Sequence, residues 1–282
     1  MSLGLIYKNE THIFNEIEKE TPYLSYPLFE KTGLVRHAFS TRLGGVSGGY
    51  YSSLNLSFDR GDKKEAVAEN FRRIGDAIGV SCEDMVLSKQ THTTNVRVVT
   101  EEDRGKGITR DRDYTDVDGL VTNIPGICLV TSYADCVPLY FVDPVRKVIG
   151  LSHSGWRGTV GKIGKKTVQI MQEKFSSDPA DILAAVGPSV CMDCYEVSED
   201  VIIKFKHNFD KRFWGELFYE KADGKYQLDL WKANELIFLE SGIIPEHIAV
   251  TNVCTHCNSQ ILYSHRAMGD KRGNLCAFLA LK

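Results

Sequence analysis

The stretch Asp135-Cys136-Val137-Pro138-Leu139-Tyr140-Phe141-Val142-Asp143-Pro144-Val145-Arg146-Lys147-Val148-Ile149-Gly150-Leu151-Ser152-His153 decides how the rest of the chain is read. Two apolar runs flank Asp143-Pro144, a dipeptide that favours turn initiation, so the segment reads as strand, turn, strand. Such a hairpin brings Cys136, just before the first strand, beside His153 at the end of the second. A soft ligand and an imidazole at neighbouring strand ends make a chemical site. The remainder of the chain has to supply a third ligand or base, a pocket and a scaffold.

Upstream, Asp116-Val117-Asp118-Gly119-Leu120-Val121-Thr122 and Ile127-Cys128-Leu129-Val130-Thr131-Ser132 read as strands, the second apolar enough to be buried on both faces. Downstream, Val160, Ile163, Thr167, Met171 and Phe175 mark one face of a helix over 158–175. Its first amides would point at whatever binds near His153 and Arg157. Met85 to Gln90 is a strand that ends in Thr91-His92-Thr93, and the charged segment 101–115 reads as a mobile loop able to act as a lid. Leu34 to Thr41 is a strand that runs into Arg42-Leu43-Gly44-Gly45-Val46-Ser47-Gly48-Gly49, a loop suited to presenting Arg42 to an anion. Asp62-Lys63-Lys64-Glu65 has the form of a capping box for a helix over 62–78, which Gly79 stops. Beyond the hairpin come strands over 181–187, 248–253 and 275–281 and helices over 198–218 and 230–241, with 226–230 extended between the helices. No repeat or linker divides the chain, and strands occur both in hairpins and beside helices. The reading is one compact domain over 1–282, α+β with mixed sheets.

Composition narrows the partners. Of the 282 residues, 43% are hydrophobic and 25% charged, ordinary for a soluble globular protein, and a net charge of −3 without a basic stripe argues against nucleic acid. No apolar run approaches the roughly 20 residues that span a bilayer, and Met1-Ser2-Leu3-Gly4-Leu5-Ile6 is unlike a signal peptide, so no membrane role is expected and the location should be cytoplasmic. Eight cysteines are too few for a disulfide scaffold and read as thiols or metal ligands. A small-molecule partner and a monomer or homodimer fit this picture.

Three constellations compete for the chemistry. His92, Cys136 and His153 match the donor set of a catalytic zinc site with one open position, although their wide spacing forms no short signature. Cys191-x-x-Cys194 and Cys254-x-x-Cys257 have the spacing of a closed structural zinc site, but two helices separate the pairs, whereas such pairs usually lie close in sequence. Alternatively, Cys136 is a nucleophile with His153 as base and Asp135 or Asp118 as orienting carboxylate. Metal content discriminates the first and third.

Taken in order, Ser40-Thr41-Arg42-Leu43-Gly44-Gly45-Val46-Ser47, Lys89-Gln90-Thr91-His92, Asp116 to Thr122, Ala134-Asp135-Cys136-Val137-Pro138, His153-Ser154-Gly155-Trp156-Arg157-Gly158, Val186-Gly187-Pro188 with Tyr195-Glu196-Val197, and Cys254-Thr255 with Tyr263-Ser264-His265-Arg266 resemble the laccase-domain (multicopper polyphenol oxidoreductase) family. The match spans 35–280. Members of that family are now described as purine nucleoside phosphorylases, and some as peptidoglycan editing factors. The resemblance implies a four-layer α/β/β/α fold and a zinc ion on His92, Cys136 and His153, with copper as the alternative metal. It also implies phosphorolysis of adenosine, inosine and 5′-methylthioadenosine, with adenosine deamination as a side activity. Laccase chemistry is not expected, since the eight histidines are scattered without a His-x-His pair. Polyphenol oxidation, peptidoglycan-precursor editing and a zinc-binding cysteine hydrolase stand as the alternatives. Residues 267–274 depart from the family's usual acidic-Gly-x-x-Thr-Gly-Arg run, which bears on substrate preference. Cys191 and Cys257 lie outside the pattern, so the paired CxxC units read as coincidental.

Phosphorolysis needs an anion site and a means of polarising the purine. Ser40, Arg42 and the amides of the glycine-rich loop are expected to hold phosphate, with Arg157 or the helix start beside it. Asp135 and Asp118 are the expected proton carriers for deamination.

Overall fold

The computed structural model describes residues 3–282. Two six-stranded sheets lie face to face. The first runs in spatial order β1 (Asn15–Ile17), β2 (Tyr23–Ser25), β3 (Val35–Ser40), β15 (Leu275–Leu281), β7 (Cys128–Tyr133) and β4 (Met85–Leu87). The second runs β14 (Ile248–Val250), β10 (Leu183–Val186), β8 (Val137–Asp143), β9 (Val148–Ser154), β6 (Gly119–Thr122) and β5 (Val96–Val98). Pairing is antiparallel except for β4 with β7, β5 with β6 and β10 with β14, so both sheets are mixed. A small sheet of β11 (Glu196–Val197), β13 (Tyr226–Leu228) and β12 (Phe218–Glu220) lies apart. The helices are α1 (Pro27–Glu30), α2 (Lys64–Ile78), α3 (Trp156–Val160), α4 (Ile163–Phe175), α5 (Glu199–Asn208), α6 (Trp214–Leu217), α7 (Leu230–Glu240) and α8 (His265–Met268).

Side-chain alternation builds the layers. Along β15, Cys276, Phe278 and Ala280 pack with Val67, Phe71 and Ile74 of α2, while Leu275, Ala277 and Leu279 meet Tyr140, Val142, Ile149 and Leu151 of the second sheet. On that sheet's other face Leu139 and Phe141 join Ile163, Val168 and Met171 of α4 and Ile237 and Phe238 of α7. Helix, sheet, sheet, helix is the four-layer α/β/β/α order, and the α+β expectation with mixed sheets holds. Every residue of β8, β9 and β15 is buried, as expected for central strands covered on both faces. Each large side chain among them contributes roughly 1.5–3 kcal/mol by leaving water. Among the described residues, no helix is long and apolar enough to cross a membrane.

Four local expectations change. The helix stopped by Gly79 (φ 73°) begins at Lys64 without a side-chain cap, because Asp62 accepts hydrogen bonds from Ser47 Oγ (2.6 Å) and Asn55 Nδ2 (3.0 Å) instead. The helix expected over 158–175 breaks between α3 and α4. There Gly161 lies so near Thr94 that a Cβ would approach its Cγ2 to 2.6 Å, and Lys162 is left-handed at φ 57°. The helix expected to 218 stops at Asn208, where Asp210 caps the next turn by accepting from Arg212 N (3.0 Å) and Phe218 enters the small sheet. Segment 101–115 is tied down: Asp103, fully buried, pairs with Arg97 (2.9 Å) and Lys106 (2.8 Å), and Leu87 N donates to Lys106 O (2.9 Å).

Candidate active site

The hairpin forms in the register that unites its two ends, with Pro138 opposite His153 and Val137 opposite Ser154. Cys136 is thereby delivered from the turn before β8. That turn needs an unusual backbone: Asp135 sits at φ 85°. Its carboxylate accepts from Thr255 Oγ1 and from Arg266 N, each at 2.6 Å, and Val190 N donates to its carbonyl (3.1 Å). These bonds hold a conformation that costs a non-glycine residue about 1–3 kcal/mol.

His92 arrives from the crossing between β4 and β5, also left-handed at φ 66°. One buried carboxylate organises it. Asp118 Oδ2 accepts from Thr91 N (2.9 Å), Thr93 N (3.0 Å) and Thr93 Oγ1 (3.1 Å), and Oδ1 from His92 N (3.1 Å) and His153 Nδ1 (2.8 Å). The last bond places a proton on Nδ1 and turns Nε2 of His153 toward Cys136, the carboxylate–histidine arrangement that commonly stands behind a metal ligand. The donor atoms of His92, Cys136 and His153 all lie within 4.8 Å of one another, with Cys136 Sγ 3.8 Å from His92 Nε2. In tetrahedral zinc the corresponding nitrogen–sulfur edge is about 3.5 Å. Gly155 keeps the centre clear, since a Cβ there would come within 2.8 Å of His92 Cδ2 and 3.2 Å of Cys136 Sγ.

The electrostatics suit a ligand set. Burial pushes the Cys136 thiol up, but the His153 and His92 imidazoles outweigh it and bring the thiol down to about 6. Burial likewise opposes charge on His153, yet Cys136 and Asp118 raise it to about 9. Asp118, despite burial, is held near about 2 by His153 and the backbone amides of Thr91 and Thr93. The donor set, spacing and readily formed thiolate fit a thiophilic divalent ion.

A cavity of about 330 Å³ opens over the trio. Leu56, Phe58 and Leu87 give it an apolar side, and Arg60, Lys89, Arg112 and Arg272 give it four cations against the single acid Asp59. Asp59 is engaged by Lys89 at 2.9 Å and Arg112 at 3.7 Å. Arg60 pairs with Asp270 at 3.6 Å and Arg272 donates to Gly273 O (3.1 Å), yet the Nε atoms of both are buried without a hydrogen-bond partner among the described residues. Burial, with Arg60 close by, lowers the Arg272 guanidinium from its usual range.

Of the residues expected to hold phosphate, Ser40, Arg42 and Arg157 do not line this cavity. Ser40 is fully buried and its Oγ accepts from Cys276 N (2.9 Å). Arg42 is occupied as a strut: it donates to Ser52 O (2.7 Å) and Ser259 O (2.9 Å) and its guanidinium lies 4.7 Å from the Tyr263 ring centre. Arg157 is exposed and stacks at 4.3 Å on Trp156, in a helix of five residues. The cavity arginines escaped notice in the sequence because they stand in separate loops. Their one local signal is that Arg60 and Arg272 each precede a glycine.

The paired CxxC units are not coincidental in space. Parallel pairing of β10 with β14 sets Val186 beside Val250, and the strands lead into adjacent loops bridged at Ser189 and Cys254. The sulfurs of Cys191, Cys194, Cys254 and Cys257 all lie within 4.8 Å of one another. The intervening helices that argued against this site are the crossover that creates it.

The sequence profile of the multi-copper polyphenol oxidoreductase laccase family matches residues 36–282. Over 251 residues the chain is 37% identical to the purine nucleoside phosphorylase YlmD of Bacillus subtilis, an alignment covering 86% of this chain and 87% of that protein. It is 35% identical over 239 residues to adenosine deaminase RL5 from an unknown prokaryotic organism, covering 84% and 90% respectively. The crystal structure of YlmD from Geobacillus stearothermophilus superposes with a TM-score of 0.88 at 34% identity, over 96% of this chain and 99% of that one. On these grounds, and with the four-layer fold already in place, the chain belongs to the multi-copper polyphenol oxidoreductase laccase family.

Proposed function

We propose that the protein is a zinc-dependent purine nucleoside phosphorylase acting on adenosine, inosine and 5′-methylthioadenosine, with adenosine deamination as a side activity. The observation that carries the reading is a pair of guanidiniums with unpartnered Nε atoms, Arg60 and Arg272, in the same cavity as the His92, Cys136 and His153 donor set. Two arginines with unpartnered Nε atoms suit a phosphate dianion, which can accept from both. Leu56, Phe58 and Leu87 offer an apolar wall to a purine. Phosphate held by the arginines attacks C1′ of the ribose as the bond to the base breaks, yielding the free base and a sugar 1-phosphate.

Zinc on the trio would supply a Lewis acid beside the substrate and a means of activating a nucleophile near neutral pH. In this reading Cys136 is a ligand rather than the attacking group. Asp118 keeps the proton on His153 Nδ1 and shapes the His92 loop, and Asp135 holds the turn before Cys136; both act through the ligands. Lys89 and Arg112 pair with Asp59 and keep it ionised.

The test is a nucleoside panel on zinc-loaded protein with and without phosphate. Free base and the matching sugar 1-phosphate should form only when phosphate is present. Arg272→Ala should raise KM for phosphate roughly 10- to 100-fold, the loss of one charge-assisted hydrogen bond, without changing zinc content. Turnover retained by a metal-free Cys136→Ala variant would refute the assignment, and product release from peptidoglycan precursors alone would favour the editing alternative.

A further inference from the structure

We propose that Cys191, Cys194, Cys254 and Cys257 form a second, closed zinc site that staples two loops behind the active site. This inference is independent of the nucleoside reading. Four thiols converge, and the approach of Cys194 Sγ to Cys257 Sγ is 3.6 Å. Sulfurs bound to one tetrahedral zinc stand about 3.8 Å apart, whereas a disulfide needs about 2 Å. All eight cysteines of the chain are free thiols in the structure.

The surroundings are those of a thiolate cluster. Cys191 N donates to Cys254 Sγ at 3.3 Å, and Cys194 N turns back to Cys191 O at 3.1 Å, so the first CxxC forms a tight knuckle. Cys191 and Cys254 are buried and the other two half-buried, which leaves no open position for a substrate. Lys8, bonded to Asp193 at 3.1 Å, brings its ammonium close enough to Cys191 and Cys257 to offset the negative charge that four thiolates place on zinc. The four donors are cysteines alone, the set that favours zinc over hard cations.

The staple bears on the active site through Asp135. Val190, next to Cys191, donates to the Asp135 carbonyl, and Thr255, between the second pair, donates to its carboxylate. Asp135 in turn sets the backbone that presents Cys136. Zinc at the four cysteines therefore acts as a positioning element, and no substrate reaches it.

Elemental analysis of untreated full-length protein tests the proposal, with zinc counted per chain. Wild type should carry two equivalents. Cys136→Ala should keep one, and Cys194→Ser combined with Cys257→Ser should keep only the one at the histidines. The double variant should also melt lower by on the order of 10 °C, because the two loops lose their cross-link. Cobalt added to Cys136→Ala after its zinc is removed by a chelator should give the intense sulfur-to-metal charge-transfer absorption of a tetrathiolate site. Cys136→Ala without zinc or that cobalt spectrum would overturn the proposal even if the double variant fails to fold. A thiol titration of wild type showing Cys194 and Cys257 oxidised to a disulfide would overturn it as well.

Discussion

Replacing Asp118 by Asn is the sharpest probe of how the metal ligands are held. The change keeps shape but removes the charge, and five donors converge on the two carboxylate oxygens: three N–H groups of the loop, one hydroxyl and His153 Nδ1. An asparagine can turn its oxygen toward one group of donors only, so its NH2 must oppose the rest. The magnitude follows from the carboxyl's descent from 3.8 to about 2, a preference for the charged form of about 2 kcal/mol in a fully buried group. That stabilisation is present above the unfolded value of 3.8 and is lost as pH falls through about 2, so at neutral pH the variant lacks all of it. The melting temperature should fall by roughly 4–8 °C. Zinc affinity, read by competition with a chromophoric chelator, should fall roughly 10- to 100-fold, since His153 loses its tautomer and orientation. Unchanged zinc affinity would refute the positioning account. If kcat then fell alone, Asp118 would be the proton carrier that the sequence reading expected.

Two further tests address the cradle and the core. Gly155→Ala places a methyl 2.8 Å from His92 Cδ2, so His92 should be displaced and zinc affinity should drop while the melting temperature changes little; wild-type affinity would show that the cradle is not needed. His37 is buried beneath Tyr26, whose N–H donates to Nε2 at 2.7 Å, and burial lowers it from 6.5 to about 4. Its stabilisation is complete above 6.5 and is lost as pH falls toward 4, about 2 kcal/mol at pH 5. In His37→Gln, which can still accept from Tyr26, denaturant titrations at pH 7 and pH 5 should differ less by that amount; an unchanged difference would place the acid sensitivity elsewhere.

What the sequence made legible were features written in short range. The β8–β9 hairpin and β15 follow from apolar runs and an Asp-Pro turn, and Gly79 ends α2 because a left-handed residue was required there. The hairpin set Cys136 beside His153 and donor type made His92 a candidate third ligand, but resemblance singled out the trio, since spacings of 44 and 17 residues carry no local signature. Features decided by topology were misread. The helix break at Gly161 depends on Thr94 in a distant loop, and the meeting of the CxxC units depends on a parallel strand pair that no local pattern announces. Arg60 and Arg272 are ordinary loop arginines until the first sheet brings their loops together at one rim.

The two rows of the sandwich divide the labour of the cavity. Cys136 and His153 belong to the second sheet, Arg272 to the loop feeding β15 of the first, and Arg60 to the approach to α2 that covers it. Changes near residue 272 alter the cationic rim from the first sheet, whereas changes nearer Arg266, whose N–H donates to Asp135, also reach the turn before Cys136. Residues 267–274 lead into the first sheet through β15. A scaffold so divided keeps the Arg272 rim and the hairpin carrying Cys136 and His153 on separate sheets that meet at one cavity.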